Sequence, residues 1–175
     1  MNLSNLKIAF MAGLLVTASI GHAYTPEENQ KVKDFLTTVF LSEVPTPQRL
    51  WVSAELKPVL AKILDRPPKK LSYRYWQAQG KTVWLLDELG KEREITTAVV
   101  IQNQQVQQVK VVVYRESRGG EVQVPWFTEQ FIGATQQQNW QKNIDSISGA
   151  TLSVNALKKQ TELALFLDSQ ITEQP

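Results

Sequence analysis

The 175-residue chain contains no cysteine. That excludes disulfides, thiolate metal centres and thiol redox chemistry, along with a lipid-modified cysteine at a processed N-terminus. Histidine is almost as scarce, because His22 is the only one and it lies in the first two dozen residues. Without those residues, histidine zinc sites, Ser-His-Asp triads and Cys-His pairs are all excluded. An excess of charge of one sign is lacking too: 19 basic and 17 acidic residues leave a formal net charge of +2. So balanced a chain gives no electrostatic case for nucleic acid.

The main apolar run sits at the N-terminus. Lys7 is followed by apolar residues from Ile8 to Ile20 and then by Gly21-His22-Ala23, a small-x-Ala pattern. This reads as a secretory signal over 1–23, with a mature chain from near Tyr24 that is soluble in the periplasm and has no membrane anchor. An uncleaved N-terminal anchor is the alternative. The run is shorter than the roughly 20 residues of a spanning helix, and its small-residue end favours cleavage.

Beyond the signal, Thr25-Pro26-Glu27-Glu28 is a helix start, and Val32, Phe35, Leu36, Val39 and Phe40 recur at the spacing of one buried face. A second short helix is predicted around Leu56, Val59, Leu60, Ile63 and Leu64, and Pro58 is compatible with it only if it begins near Lys57. From Leu71 the period becomes two. A hairpin is predicted through Gln79-Gly80, and a longer one joins Ile95–Ile101 to Val106–Tyr114 through a polar turn at 102–105. Trp51, Trp76 and Trp84 read as core or interface residues. "RESRGGEVQVP" breaks the strand pattern, and "WFTEQFIG" reads as one or two helical turns ended by Gly133. The last segment is an amphipathic helix. Strands followed by a packed terminal helix predict an α+β fold, an antiparallel sheet packed by a C-terminal helix and N-terminal helices.

Ahead of that last helix stands "DSISGATLS", residues 145–153. Small residues at a helix start leave room for a ligand, and the first-turn amides with the positive end of the helix dipole suit a phosphate. The alternative is that Ser148 or Thr151 merely caps the helix. The string resembles the flavinylation motif of the FMN-binding domain family, Asp-x-x-Ser/Thr-Gly-Ala-Ser/Thr ending in the acceptor hydroxyl. That family includes the C subunit of the sodium-translocating NADH:quinone oxidoreductase, the G subunit of the Rnf complex and small exported flavoproteins. "VVVYRESRGGEV" with "PWFTEQFIG" is similar to the strand and loop that precede the motif there, and the resemblance covers about residues 92–172.

The resemblance implies one FMN per chain, joined by a phosphoester to Thr151 by a dedicated flavin transferase, with Asp145, Ser148, Gly149 and Ala150 at the recognition positions. It also makes Arg115, Glu116, Arg118, Gly119 and Gly120 candidates for holding the flavin's polar edge or phosphate. Trp126, Phe127, Phe131 and Trp140 become candidates for walling off its ring. No catalytic residue and no metal site are assigned. The chain is then divided into a signal (1–23), an N-terminal helical and hairpin extension (24–91) and the FMN-binding domain (92–172). The implied role is an exported electron carrier, not a stand-alone enzyme, with a membrane or periplasmic redox protein as partner. A non-covalent FMN binder or sensor, and a flavin-free exported α+β binding module, are the alternatives.

Overall fold

The computed structural model describes residues 24–41, 43–137 and 144–172. The segment read as a signal and Trp140 lie outside the described residues. Helix α1 (Pro26–Phe40) begins on a reciprocal cap. Thr25 Oγ1 accepts from the Glu28 amide at 3.2 Å, and Glu28 Oε2 accepts from the Thr25 amide at 2.8 Å. Two of the donors that a helix start leaves without partners are thereby satisfied. Strand β1 (Gln48–Trp51) follows, then helix α2 (Lys57–Leu64), which has Pro58 in its first turn as its sequence requires.

Four longer strands come next: β2 (Ser72–Ala78), β3 (Lys81–Leu89), β4 (Glu94–Gln102) and β5 (Gln105–Tyr114). They form one antiparallel meander with β1, in the order β1-β2-β3-β4-β5. The β4–β5 turn is tighter than the four polar residues suggest. Asn103 and Gln104 alone bridge the strands, at φ 53° and 58°, the left-handed pair that suits a two-residue hairpin. After β5, two short 3-10 turns flank α3 (Pro125–Thr128), and α4 (Thr151–Thr172) ends the described chain.

Side-chain alternation assigns the two faces of the sheet. Val83, Leu85, Ala98 and Val100 meet Val32, Leu36 and Phe40 of α1. Trp84, Leu86, Ile95, Val99 and Ile101 meet Val154, Leu157 and Leu165 of α4, with α2 packed beside that helix. The architecture is α+β, as predicted. β3 is apolar on both faces because both are covered. Strand β1 is not legible in the sequence: of its four residues only Leu50 is buried, too few for alternation to register. Trp76 and Trp84 belong to the core, whereas Trp51 stands 66% exposed on the edge strand.

Two polar side chains fix where α4 lies on the sheet. Gln160, 1% exposed, donates to the carbonyls of Leu86 and Ile95 at 2.9 and 2.7 Å and accepts from Thr97 Oγ1 at 2.7 Å. Two turns later the buried Asp168 accepts from Thr82 Oγ1, from Trp84 Nε1 at 3.1 Å and from Gln104 Nε2 at 2.9 Å. On the α1 face Asp87 is held in a similar way by Tyr24, Lys70 and Thr96. Burial pushes its carboxyl up, but the Lys70 ammonium and these hydrogen bonds outweigh that and hold it below the ordinary value.

Asp168→Ala should cost about 2–4 kcal/mol in a urea titration, because it strands three donors, two buried on β3 and one in the β4–β5 turn. Asp87 makes stability pH-dependent. Its contribution is fully present above the ordinary carboxylate pKa and is lost as pH falls through the depressed one. Asp87→Asn should therefore flatten the acid limb of a stability-versus-pH curve.

Candidate functional site

Among the described residues no side chain caps the start of helix α4. Its ladder opens with the Val154 amide bonded to the Ala150 carbonyl at 2.9 Å, which makes Ala150 the capping position and Thr151 the first helical residue. An alanine has no acceptor to offer. Among the described residues no side-chain oxygen takes the amides of Thr151, Leu152 or Ser153, and no acidic residue lies in the first turn. Helix α1 is the contrast, since Thr25 and Glu28 answer its orphan donors. The expectation that Ser148 or Thr151 might only cap the helix is therefore not met. The end of α4 is left open to an anion.

Gly149 sets this up. At φ 79° it turns the chain in the left-handed region, and a β-carbon there would meet nothing within 4 Å. Ala150 is buried beneath the turn, while Ser148, Gly149 and Thr151 are exposed. The Thr151 hydroxyl is thus presented at the rim of an open cleft of about 590 Å³, within the range of small-molecule sites. One wall is residues 149–153, a second is Glu116, Ser117 and Arg118 after β5, and a third is Lys91 and Glu92 in the β3–β4 turn. Lys91 and Arg118 bring positive charge to the same space as the helix start.

The walls are tied to one another. Glu116 Oε1 accepts from three successive amides, those of Lys91, Glu92 and Arg93, the last two at 2.7 and 3.0 Å. Desolvation pushes the Glu116 carboxyl up, but these amides prevail and hold it below the ordinary range. Its carboxylate braces two walls instead of reaching into the cleft. The Tyr114 hydroxyl joins the other pair: it donates to the Arg118 carbonyl and lies 3.3 Å from Ser153 Oγ. Burial raises the phenol's pKa, so it stays protonated and able to donate. Gly119, at φ 77°, lets the loop close on α4. A β-carbon there would sit 3.2 Å from both Ala150 Cβ and Ser153 Oγ.

Other predicted residues lie elsewhere. Asp145 is exposed, outside the cleft lining, with its amide bonded to Gln130 and its carboxylate near Lys158. Arg115 points to the α1 face, where it pairs with Glu28 at 2.6 Å and donates to Thr96 Oγ1 at 2.9 Å. It anchors α1 and does not reach the cleft. Phe127 and Phe131 are fully buried core residues, stacked edge to face. Trp126 is 55% exposed and makes an edge contact with Phe127, but it is not part of the cleft wall. An aromatic wall is therefore absent from the cleft among the described residues.

The apolar surface at the site is instead Leu152, half exposed between this cleft and a neighbouring one of about 300 Å³ that also includes Leu89. Lys91 and Leu89 carry no motif. The change from β3 to β4 marks them only as turn-proximal, and their approach to Thr151 is a property of the fold.

Residues 90–165 match the family model of the FMN-binding domain. No curated protein matches the chain. Over these residues the chain is thus similar to the FMN-binding domain family, and the residues of the cleft fit the phosphate of that cofactor. The helix-start amides and the two cations would meet its charge, and Thr151 lines the same cleft.

The two left-handed glycines should differ in cost. Gly149→Ala brings backbone strain alone, about 1–2 kcal/mol. Gly119→Ala adds the collision with Ala150 and Ser153, so its urea midpoint should fall further than that of Gly149→Ala.

Proposed function

We propose that the protein is an exported electron-transfer flavoprotein carrying FMN as a phosphoester on Thr151 Oγ1. The observation that carries this reading is the placement of an exposed Thr151 hydroxyl at an uncapped helix start, on the rim of a cleft that also holds Lys91 and Arg118. The neighbouring hydroxyls suit the role less well. Ser153 is buried and engaged with Tyr114, and Ser148 lies outside the cleft lining.

The residues divide the work as follows. Gly149 turns the chain so that Thr151 faces outward, and Ala150 leaves the amides uncovered. Lys91 and Arg118 offset the charge of a phosphate diester. Glu116 and Tyr114 hold the walls at fixed separation, which keeps that geometry preorganised. When bound, the flavin supplies one- and two-electron redox chemistry, and the protein supplies position and exposure. A covalent tether suits the periplasm, where lost FMN is not readily replaced. On this reading a flavin transferase loads the chain, and a membrane or periplasmic redox protein exchanges electrons with it.

The test is to produce the chain together with a flavin transferase, denature it, and measure flavin fluorescence in the protein band and the intact mass. The expected result is a gain of one FMN less one water. Thr151→Ala should abolish the label, and Thr151→Ser should retain it. Flavin released on denaturation would replace this reading with non-covalent binding. A label that survived Thr151→Ala would move the acceptor to another hydroxyl.

A further inference from the structure

On the α1 face, at the edge of the sheet, Arg49 of β1 stands directly opposite Arg74 of β2. Like charges in register destabilise a strand pair unless something else answers them. Among the described residues neither arginine makes an ion pair. Arg49 donates to Ser72 Oγ at 3.2 Å, and Arg74 lies over the rings of Tyr24 and Trp76 at 5.6 and 5.1 Å. With Lys70 they line a polar cleft of about 400 Å³ whose one carboxylate, Asp87, is already bound to Lys70 and Tyr24. Trp51, 66% exposed, shares this face with Arg49.

We propose that this edge is a docking surface for anionic phospholipid, with Arg49, Arg74 and Lys70 meeting headgroup phosphates and Trp51 entering the interfacial layer. Exposed tryptophan ringed by arginine and lysine is the composition that partitions to that layer. The opposite face of the sheet carries α4 and the Thr151 cleft. A protein resting on this edge keeps that cleft off the lipid.

The proposal is independent of flavin. Both hydrophobic clusters lie within residues 24–172, so the chain from Tyr24 carries every contact described. That form is sedimented with vesicles of phosphatidylcholine, alone or with about one third phosphatidylglycerol, at low and high salt. Binding should be several-fold stronger on the anionic vesicles and should weaken with salt. Arg49→Gln with Arg74→Gln should lower the affinity roughly tenfold or more. Lys33→Gln with Lys110→Gln, equal in charge and away from the edge, should change it little. Trp51→Ala, which leaves the charges intact, should weaken binding several-fold and serves alone if the double variant loses its circular dichroism. Three results would overturn the proposal: no binding, equal binding to neutral vesicles, or an equal loss in the control pair. The first would return the patch to an acidic protein partner.

Discussion

The position of α4 on the sheet is the constraint from which the site follows. Apolar packing alone allows a helix to slide by a turn, because Leu, Val and Ala repeat along its face. Gln160 and Asp168 remove that freedom, because each must find particular donors and acceptors on β3, β4 and the β4–β5 turn, and a shifted helix would bury them unpaired. With those two points fixed, the helix start is fixed as well, nine residues or about 14 Å before Gln160. Thr151 therefore projects past the sheet at the end where β3 hands over to β4, beside Lys91. The buried polar pins of one end of the helix determine what the other end can reach.

A second layer of the design concerns the walls. The cleft is formed by three segments distant in the chain, and each is tied to a neighbour by a group that does not itself face a ligand. Glu116 takes the amides of the β3–β4 turn, Tyr114 links the loop to Ser153, and Gly119 permits the contact with Ala150. Arg115, next to Glu116 in sequence, turns the other way to Glu28 and holds α1 against the sheet. One short loop thus serves both faces. The family match begins at residue 90, in the β3–β4 turn, yet β3 is the middle strand of the sheet and Leu89 at its end adjoins the site. The N-terminal elements supply the support against which the matched residues are organised.

Much of this was legible in the sequence where a local signal existed. The Thr25-Pro26-Glu27-Glu28 start, the two hairpins, the helical turns ending at Gly133 and the terminal helix all follow from caps, periods and turn residues. The run from Ser148 to Thr151 identified the helix start with its small residues and hydroxyl. What sequence could not supply was direction. Arg115 and Arg118 are three residues apart in one charged loop, and only the fold sends one to α1 and the other to the cleft. Aromatic residues in "PWFTEQF" suggested a stacking wall, but Phe127 and Phe131 are consumed by the core and Trp126 lies off the cleft. Lys91 is some sixty residues from Thr151 and had no spacing to betray it. Strand β1 was hidden because an edge strand of four residues needs to bury only one.

The open turn at Gly149 bears on the order of events in the life of the protein. Ser148, Gly149 and Thr151 are exposed in the finished fold, and nothing crowds the glycine. An acceptor buried on folding would have to be modified on a nascent chain, in competition with collapse. Here the folded molecule still offers the Thr151 hydroxyl, so the proposed attachment would not have to precede folding. On the proposed reading, the same exposure would let a transferase act on the finished fold, so that loading need not compete with collapse of the chain.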